Sequence, residues 1–390
     1  MKTKLINFVK GNKWIYNIYY YVMNVLIAIL KFFVKPQDNL ILFISSGGKR
    51  YMDSPKDVYE QMLRDARFED FDIVWAFRNP NEIEIPGRAK IIKTDSFEYF
   101  LCALKARCWI TNVSVERGLN FKGKNTFYFC TWHGAPIKKI GYDIKNENTF
   151  STKGKVSFDM ICAQGEYNKN VYYSAFDIGE DKILMSGFPR NDALFEANEN
   201  RYREIREKLG IPQNSKVILY APTFHDTTAT GSTFAPPIHF DKWLKRLGED
   251  YYILFRTHPS VFELSGIKVD SERIINVSTY PEINDLYIAS DLLISDYSSI
   301  FFDYSILERP MYCFAYDYSE YVKTRGLYFN ICEEITGGEI NEDELLDLIK
   351  NEDRVKEIKK VQDFNRKYLI EQGNATKQAL DCIYENIKRG

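Results

Sequence analysis

The sequence predicts an α/β protein made of two successive Rossmann-like halves, and three observations lead to that prediction. The chain has 390 residues, of which 45% are apolar, and this is enough for two domains of ordinary size. Short β-rich runs alternate with helical stretches, as in parallel sheets covered by helices. A charged helical stretch at 191–209 ends in Gly210-Ile211-Pro212, and a fresh strand follows. We therefore divide the chain into a first half, 36–210, and a second half, 211–390.

Residues 1–35 precede the first half and differ from it in charge and aromatic content. They contain lysines and no acidic residue, although the whole chain has a net charge of −2. The stretch from Trp14 to Val34 is apolar and aromatic, with Asn24 and Lys31 among its interruptions. This pattern favours a helix lying on the cytoplasmic face of the cell membrane, attracted to anionic lipid. A spanning anchor, which needs ~20 predominantly apolar residues, and an amphipathic core helix are the alternatives.

The first half alternates predicted strands with predicted helices. Its β-branched and aromatic runs, bounded by polar or turn-forming residues, indicate buried parallel strands. The strand candidates are Leu40–Ile44, Asp72–Ala76, Cys108–Thr111, Thr126–Cys130 and Met160–Ala163. The helices predicted among them are Lys56–Ala66, Ser96–Lys105 and Glu166–Ala175.

The second half repeats this alternation and ends in a charged helical tail from Glu342 onward. Its strand candidates are Val217–Ala221, Tyr252–Arg256, Ile274–Asn276, Leu292–Ser295 and Met311–Phe314. Two such halves bind ligands between them, at the carboxyl ends of their strands. No Gly-x-Gly-x-x-Gly or Walker A motif is present, which argues against dehydrogenases and P-loop NTPases.

The composition excludes some classes of partner and cofactor. With 52 basic and 54 acidic residues, the chain lacks the basic excess of a nucleic-acid-binding protein. The 7 cysteines are scattered without metal-ligand spacing, which predicts reduced cysteines and no metal cluster. No cofactor is evident, although Mg²⁺ held by substrate phosphates and one carboxylate would leave no sequence signature.

The stretch Phe129–Gly141 places His133 where a predicted strand breaks into a loop. Gly134 and Pro136 prevent a strand or helix from continuing, so the imidazole lies where the chain opens toward a cleft. A catalytic base is often presented in this way. The alternative is an ordinary core or surface histidine.

Polar residues also follow three strands of the second half. They are Pro222, Thr223, Arg256, His258, Asp296, Ser298 and Ser299. Ser298 and Ser299 stand where a helix over Ile300–Leu307 would begin, and hydroxyls with free backbone N–H groups at such a point bind phosphate. Arg256 and His258 would face the same cleft. Plain N-capping by Ser298 or Asp296 is the alternative.

Together these motifs resemble the CDP-glycerol glycerophosphotransferase family, the teichoic-acid primases and polymerases, from about residue 38 to 340. The matching stretches are Thr131–Lys139, Gly187–Asp192, Ala221–Phe224, Arg256–Pro259, Ser295–Tyr304 and Arg325–Phe329. The resemblance implies a GT-B fold with two domains facing a central cleft and monotopic association with the inner membrane face. It also implies transfer of glycerol phosphate from CDP-glycerol to a lipid-linked acceptor, of undecaprenyl-diphosphate disaccharide type, with release of CMP.

The resemblance assigns roles to individual residues. His133 becomes the base for the acceptor hydroxyl, and Gly134, Lys138 and Lys139 accompany it on the acceptor side. In the CDP-donor domain, His258 becomes a second essential histidine at the pyrophosphate, and Ser298 and Ser299 hold phosphate. Pro222 and Thr223 line the nucleotide pocket, and Arg325 clamps a phosphate. Asp296 and Asp303 contact the glycerol hydroxyls, or else they cap a helix or serve as buried polar partners.

The resemblance leaves several substrates and activities open. His225 departs from the family pattern, so the donor polyol could be ribitol instead of glycerol. The length of the chain is closer to that of the single-addition primases. A poly(glycerol or ribitol phosphate) polymerase, a capsule-backbone transferase, a GT-B glycosyltransferase using a nucleotide sugar, and a non-catalytic membrane-bound protein are the alternatives.

Overall fold

The computed structural model describes residues 13–116, 118–119, 121–144, 157–223, 236–257, 271–370 and 373–388. The strands are β1 Gln37–Ile44, β2 Asp72–Phe77, β3 Lys90–Lys93, β4 Ala106–Thr111, β5 Phe127–Cys130, β6 Met160–Cys162, β7 Ile183–Leu184, β8 Lys216–Tyr220, β9 Tyr251–Phe255, β10 Ile274–Asn276, β11 Leu292–Ser295, β12 Met311–Phe314 and β13 Thr336–Gly338. The α-helices are α1 Lys13–Phe33, α2 Asp53–Met62, α3 Phe97–Lys105, α4 Glu166–Phe176, α5 Asp192–Phe195, α6 Glu199–Lys208, α7 Phe240–Leu247, α8 Ile283–Ala289, α9 Ile300–Ser305, α10 Tyr318–Arg325, α11 Ile331–Glu334, α12 Glu342–Lys350, α13 Arg354–Tyr368 and α14 Ala375–Lys388.

The strands form two parallel sheets with the same winding. The first is a 7-stranded sheet in the order β3-β2-β1-β4-β5-β6-β7, and the second is a 6-stranded sheet in the order β10-β9-β8-β11-β12-β13. In each sheet the strand order reverses beside its first strand, between β1 and β4 and between β8 and β11. Doubly wound sheets bind ligands outside the carboxyl ends of the strands at this switch point. The predicted α/β class with parallel sheets is confirmed.

Central strands of both sheets are buried on both faces, which explains their continuous apolar runs. All six residues of β4 are buried, as is the whole of β12. On one face of the first sheet, Phe43 stacks on Trp75 with ring centroids 5.1 Å apart, and Tyr59 of α2 meets Trp75 edge-on. This aromatic packing against α2 fixes the start of that helix, which contributes to the site described below.

Every predicted strand is present, and the described residues contain three more. β3 and β7 form the two edges of the first sheet, and β13 forms an edge of the second. They have 4, 2 and 3 residues, and each has a single buried residue or none. Short, half-exposed edge strands carry too little apolar pattern to be recognised from sequence.

Helix α14 follows the second sheet in sequence but packs on the first. Leu380 and Ile383 join the core that contains Phe43 and Trp75. The carboxylate of Asp192 accepts hydrogen bonds from the first backbone N–H groups of α14, at 2.9 and 2.8 Å. The chain therefore crosses from one sheet to the other and back again. The division at residues 210 and 211 stays a prediction.

Helix α1 docks on the first sheet along one side. Met23, Ile27 and Leu30 pack on the core beneath it, and Lys31 Nζ donates a 2.9 Å hydrogen bond to the Lys122 carbonyl. The opposite face is exposed and apolar. Within the described residues, no helix combines the length and hydrophobicity needed to cross a bilayer.

Candidate active site

A cavity of about 290 Å³ lies between the two halves, at the carboxyl ends of both sheets. It brings together four predicted elements: the base His133, the cation Arg256, the serine pair Ser298 and Ser299, and Asp303. The other residues that line it are Met52, Asp53, Asp57, Arg190, Pro281, Glu282, Ile283, Asn284, Tyr287 and Ile300. The first half supplies the imidazole, and the second half supplies the serine hydroxyls.

The ring of His133 is open to the cavity and held from behind. Its Nδ1 lies 2.7 Å from the backbone carbonyl of Asn112, which can only accept a hydrogen bond. Nδ1 therefore carries the proton, and the lone pair is on Nε2. Removal from water lowers the pKa of His133, against the opposing effects of the Asn112 carbonyl and Asp53. The ring is thus a neutral base at neutral pH.

An arginine that the sequence analysis left without a role connects the two halves. Arg190 Nη1 lies 2.9 Å from Asp53, and its Nη2 lies 2.8 Å from Asp303 of the second half. The three side chains are only 11%, 9% and 5% exposed. Asn191 donates a further 2.8 Å hydrogen bond to Asp303. Of the roles considered for Asp303, the described geometry matches a buried polar partner.

The two carboxyls that hold Arg190 have opposite pKa shifts. Burial would raise the pKa of Asp53, but Arg190 and hydrogen bonds from Ser54 and Asn112 bring it below its ordinary value. Burial raises the pKa of Asp303, and Arg190 offsets this only in part. Each buried charge is compensated by its partner. Removing one partner would leave an uncompensated buried charge, which is costly.

Asn112 joins this ion pair to the base. Its side-chain amide donates to Asp53 at 2.6 Å, and its Oδ1 accepts from the Ser46 N–H at 2.8 Å. Its carbonyl is the partner of His133. A continuous chain of hydrogen bonds therefore runs from the imidazole of the first half to Asp303 of the second.

Arg256 is the cation of the cavity that lacks a carboxylate. Its Nη1 donates to the carbonyls of Val277 and Tyr280 at 3.0 and 2.8 Å, which fixes the direction of the guanidinium. No ion pair with it occurs among the described residues. Desolvation lowers the pKa of Arg256. A partly buried cation that is oriented by neutral groups is suited to bind an anion.

The serine hydroxyls contribute through position, since the helix that follows is short. Helix α9 has 6 residues, fewer than the stretch predicted, and Ser299 makes no side-chain capping bond. Ser298 Oγ accepts from the Ile300 N–H at a long 3.4 Å. Gly134, at φ +134°, lies so close that an added Cβ would be 2.6 Å from Ser299 Oγ. The loop that carries His133 and Gly134, which we call the base loop, is therefore in direct contact with Ser299.

Pro222, Thr223 and Asp296 lie at the switch point of the second sheet and not among the residues lining the cavity. The Thr223 N–H donates to both carboxylate oxygens of Asp296, at 2.9 and 3.0 Å. Asp296 also accepts from the Tyr297 N–H at 2.6 Å. In the described residues its carboxylate thus holds together the two turns that follow β8 and β11.

The lysine segment after His133 pairs with the second half through its backbone. Lys138 forms an antiparallel bridge with Leu327, and the Lys139 N–H donates to the Gly326 carbonyl at 3.1 Å. Lys138 Nζ lies 5.5 Å from the ring centroid of Tyr321. Arg325 ends α10 just before this contact. His258 and His225 lie outside the described residues.

Several cavity residues were not predicted from the sequence. Asp57 and Glu282 line it from opposite halves, and Lys56 Nζ meets Glu282 at 2.5 Å across the interface. Burial raises the pKa of Asp57 to about 7, with Lys56 opposing this and Asp53 adding to it. Arg190 could have been found, because it lies within the Gly187–Asp192 motif. The acidic residues carry no motif signal of their own.

The described residues contain no group of three or more His, Cys, Asp or Glu side chains arranged to hold a metal ion. The cavity offers instead a neutral base, a fixed cation and two hydroxyls. This set can deprotonate an alcohol next to a bound phosphate ester.

Comparison with known proteins agrees with this chemistry. Residues 26–385 match the model of the family described as CDP-Glycerol:Poly(glycerophosphate) glycerophosphotransferase. The chain is 37% identical over 91% of its length to a teichoic acid poly(glycerol phosphate) polymerase of Staphylococcus epidermidis, but spans only 51% of that protein. It is 33% identical to a teichoic acid glycerol-phosphate transferase of Staphylococcus aureus, over 90% of this chain and 94% of that one.

The fold also matches a solved structure closely. A variant of the wall teichoic acid polymerase TagF, soaked with CDPG, superposes with a TM-score of 0.82 and 34% identity, over 93% of each chain. The family expected from the sequence motifs is thereby confirmed. The chain belongs to the CDP-glycerol:poly(glycerophosphate) glycerophosphotransferase family.

Proposed function

We propose that this protein transfers glycerol phosphate from CDP-glycerol to a hydroxyl of a lipid-linked acceptor and releases CMP, in the synthesis of teichoic acid or a related surface polymer. The observation that carries the proposal is the cavity between the halves. It holds a neutral imidazole from the first half opposite Arg256, Ser298 and Ser299 from the second. Family membership supports the donor, and the similarity over 94% of the length of a teichoic acid glycerol-phosphate transferase supports the transfer of glycerol phosphate.

In the proposed reaction, Nε2 of His133 takes the proton of the acceptor hydroxyl as its oxygen attacks the β-phosphorus of the donor. The bond from that phosphorus to the bridging oxygen breaks, and CMP leaves with the electron pair. Arg256 neutralises charge on the phosphates, and the serine hydroxyls donate to their oxygens. The transfer is direct and needs no covalent intermediate. Holding both substrates in one cleft, with the hydroxyl aligned on the phosphorus, supplies the remaining catalysis.

CMP release by the purified protein tests the proposal. We expect release from CDP-glycerol in the presence of a lipid-linked disaccharide, with CDP-ribitol and UDP-sugars as the comparison donors. The mass of the product separates addition of one unit from addition of many. Turnover only with a UDP-sugar would replace the proposal with a glycosyltransferase.

We also propose that α1 holds the protein on the cytoplasmic face of an anionic membrane. Its outer face exposes large apolar side chains, among them Trp14 at 80% and Phe32 at 86%. Trp and Tyr beside lysines are typical of the membrane interface. Lys31 and Lys35 provide positive charge at its C-terminal end.

Vesicle pelleting tests this proposal without disturbing the core. Ile18→Glu together with Ile29→Glu, at positions 63% and 52% exposed, should abolish pelleting with anionic vesicles and leave the melting temperature unchanged. Val355→Glu, at a position 81% exposed on α13, is the matched control. Undiminished pelleting of the double variant would refute the role of α1.

A further inference from the structure

The loop between β1 and α2, residues 45–52, lies at the rim of the cavity and has no role in the proposed reaction so far. It follows the carboxyl end of β1, next to the switch point with β4. Its sequence is Ser-Ser-Gly-Gly-Lys-Arg-Tyr-Met, which we call the β1 loop. Its last residue, Met52, lines the cavity together with the adjoining Asp53.

The β1 loop is anchored beside the catalytic base at both ends. Ser45 Oγ donates to the Met52 carbonyl at 2.7 Å, which joins the first and last residues of the loop. The Ser46 N–H donates to Asn112, the residue that holds His133. Ser46, Gly47 and Gly48 have φ values of 50°, 61° and 79°. Glycine adopts such values freely, but Ser46 does not, and a non-glycine residue in this conformation is retained where the surrounding structure requires it, often at ligand sites.

Glycine is required at position 48. A Cβ there would lie 2.6 Å from a methyl group of Thr94 and 3.3 Å from the Ala76 carbonyl. The loop is therefore pressed onto the ends of β2 and β3. Its next two residues, Lys49 and Arg50, are left exposed beyond this contact.

Lys49 and Arg50 are cations for which the described residues supply no counterion. Neither forms an ion pair or a side-chain hydrogen bond in the described structure, whereas most other arginines of the first half do. Desolvation is the main cause of the lowered pKa of Arg256, and the nearby charge of Arg50 adds to it. Arg50 does not itself line the cavity, but it lies two residues before Met52, which does. Two arginines from opposite halves thus lie near this end of the cleft, and like charges repel unless an anion lies between them.

We propose that Arg50, assisted by Lys49, binds a phosphate group of the substrate from the first-half side of the cleft, opposite Arg256. The inference rests on the proposed function for the identity of that substrate. A guanidinium binds two phosphate oxygens at once, so Arg50 and Arg256 together would hold an anion across the two halves.

Two substrates could carry this phosphate. One is the diphosphate of the nucleotide donor, which would then contact both halves. The other is a phosphodiester in an acceptor that already carries glycerol phosphate, lying near the hydroxyl that His133 deprotonates. The chemistry is the same, and kinetics distinguish the two.

Binding of inorganic pyrophosphate is the first experiment, because it does not depend on turnover. By isothermal titration calorimetry, Arg50→Gln should raise the dissociation constant about tenfold or more, as expected for loss of a charge-assisted hydrogen bond. Arg50→Lys should recover part of the affinity. Arg64→Gln, an exposed arginine just beyond the far end of α2, is the matched control.

Steady-state kinetics then identify the substrate. If Arg50 binds the donor, Arg50→Gln raises KM for CDP-glycerol with every acceptor. If it binds the acceptor, KM rises only for an acceptor that carries glycerol phosphate, and not for the unmodified lipid-linked disaccharide. Unchanged pyrophosphate affinity together with unchanged KM for both substrates would overturn the inference. Absence of CMP release by the wild type would instead refute the proposed function, and the pyrophosphate result would still decide this site.

Discussion

His133 acts as a base only while its ring is neutral, so its pKa fixes the acid limit of the reaction. Desolvation lowers that pKa below 6.5, the ordinary value for histidine. The neutral form is gained as pH rises, and we therefore expect the acid limb of kcat/KM to have its midpoint below pH 6.5. A midpoint above 6.5 would contradict this assignment.

Replacing the base should affect turnover and not donor binding. For His133→Ala we expect kcat to fall by about 10²–10⁴, the usual contribution of a general base. Affinity for CDP-glycerol should remain close to that of the wild type, because the ring acts on the acceptor. Donor binding that weakened by a similar factor would assign His133 to the donor instead.

Asp57 should make stability depend on pH. Burial is the main cause that raises its pKa from 3.8 to about 7, and Lys56 opposes this shift. A raised carboxyl pKa means that the folded state loses stability as pH rises from 3.8 through 7, because the unfolded chain ionises first. Asp57→Asn should therefore raise the melting temperature more at pH 8 than at pH 4.5. An equal gain at both pH values, or the same pattern in the exposed control Asp70→Asn, would contradict this.

Single residues were predictable where a motif marked them. His133, Arg256, Ser298 and Ser299 meet in one cavity, as the strand-end argument expected. Asp53, Asp57 and Glu282 come from the starts of helices in both halves, and only folding brings them together. His258 lies outside the described residues, so its role stays a prediction.

At the scale of elements, the contact between the base loop and Ser299, directly before α9, depends on Gly134. In Gly134→Ala the new methyl group would lie 2.6 Å from Ser299 Oγ and 2.9 Å from its Cβ. We expect the loop to shift and kcat to fall at least tenfold, as measured by CMP release. The cost in stability should be modest, about 1 kcal/mol.

Gly248→Ala is the matched control for this variant. Gly248 also has a positive φ, of +108°, but a Cβ there meets nothing within 4 Å. It should show a similar loss of stability and no loss of kcat. An equal loss of kcat in both variants would mean that backbone strain, and not the clash with Ser299, is responsible.

Buried strands were the elements best predicted from sequence, because parallel strands covered on both faces have long apolar runs. Helix α9 is shorter than predicted, with 6 residues. Phosphate binding is therefore better explained by the serine hydroxyls and Arg256 than by a helix dipole. The sheet order could not be read from the sequence, since it depends on which strands meet in space.

At the scale of the whole molecule, Arg190 should control how firmly the two halves are joined. Arg190→Leu would leave the buried carboxyls of Asp53 and Asp303 without their cation. Breaking a buried pair in this way costs about 3–5 kcal/mol. Chemical denaturation should show that loss, and small-angle scattering should show a larger radius of gyration.

The triple variant Asp53→Asn, Arg190→Leu, Asp303→Asn distinguishes the effect of unpaired charge on stability from the effect of the lost arginine side chain. It removes all three charges, so much of the lost stability should return. Arg206→Leu is the control, because Arg206 is also buried in an ion pair, with Asp291, but its helix α6 packs on the core of the second sheet. It should lower stability and leave the radius of gyration of the folded protein unchanged.

The return of α14 to the first sheet also bears on how the chain folds during synthesis. Leu380 and Ile383 cover the face of the sheet that carries Phe43 and Trp75. On that face α14 contacts β4 and β5, and a ribosome delivers those strands long before it delivers α14. Until then the nascent first half exposes an aromatic surface, which is a binding site for chaperones. The half that is translated first is therefore the last to be completed.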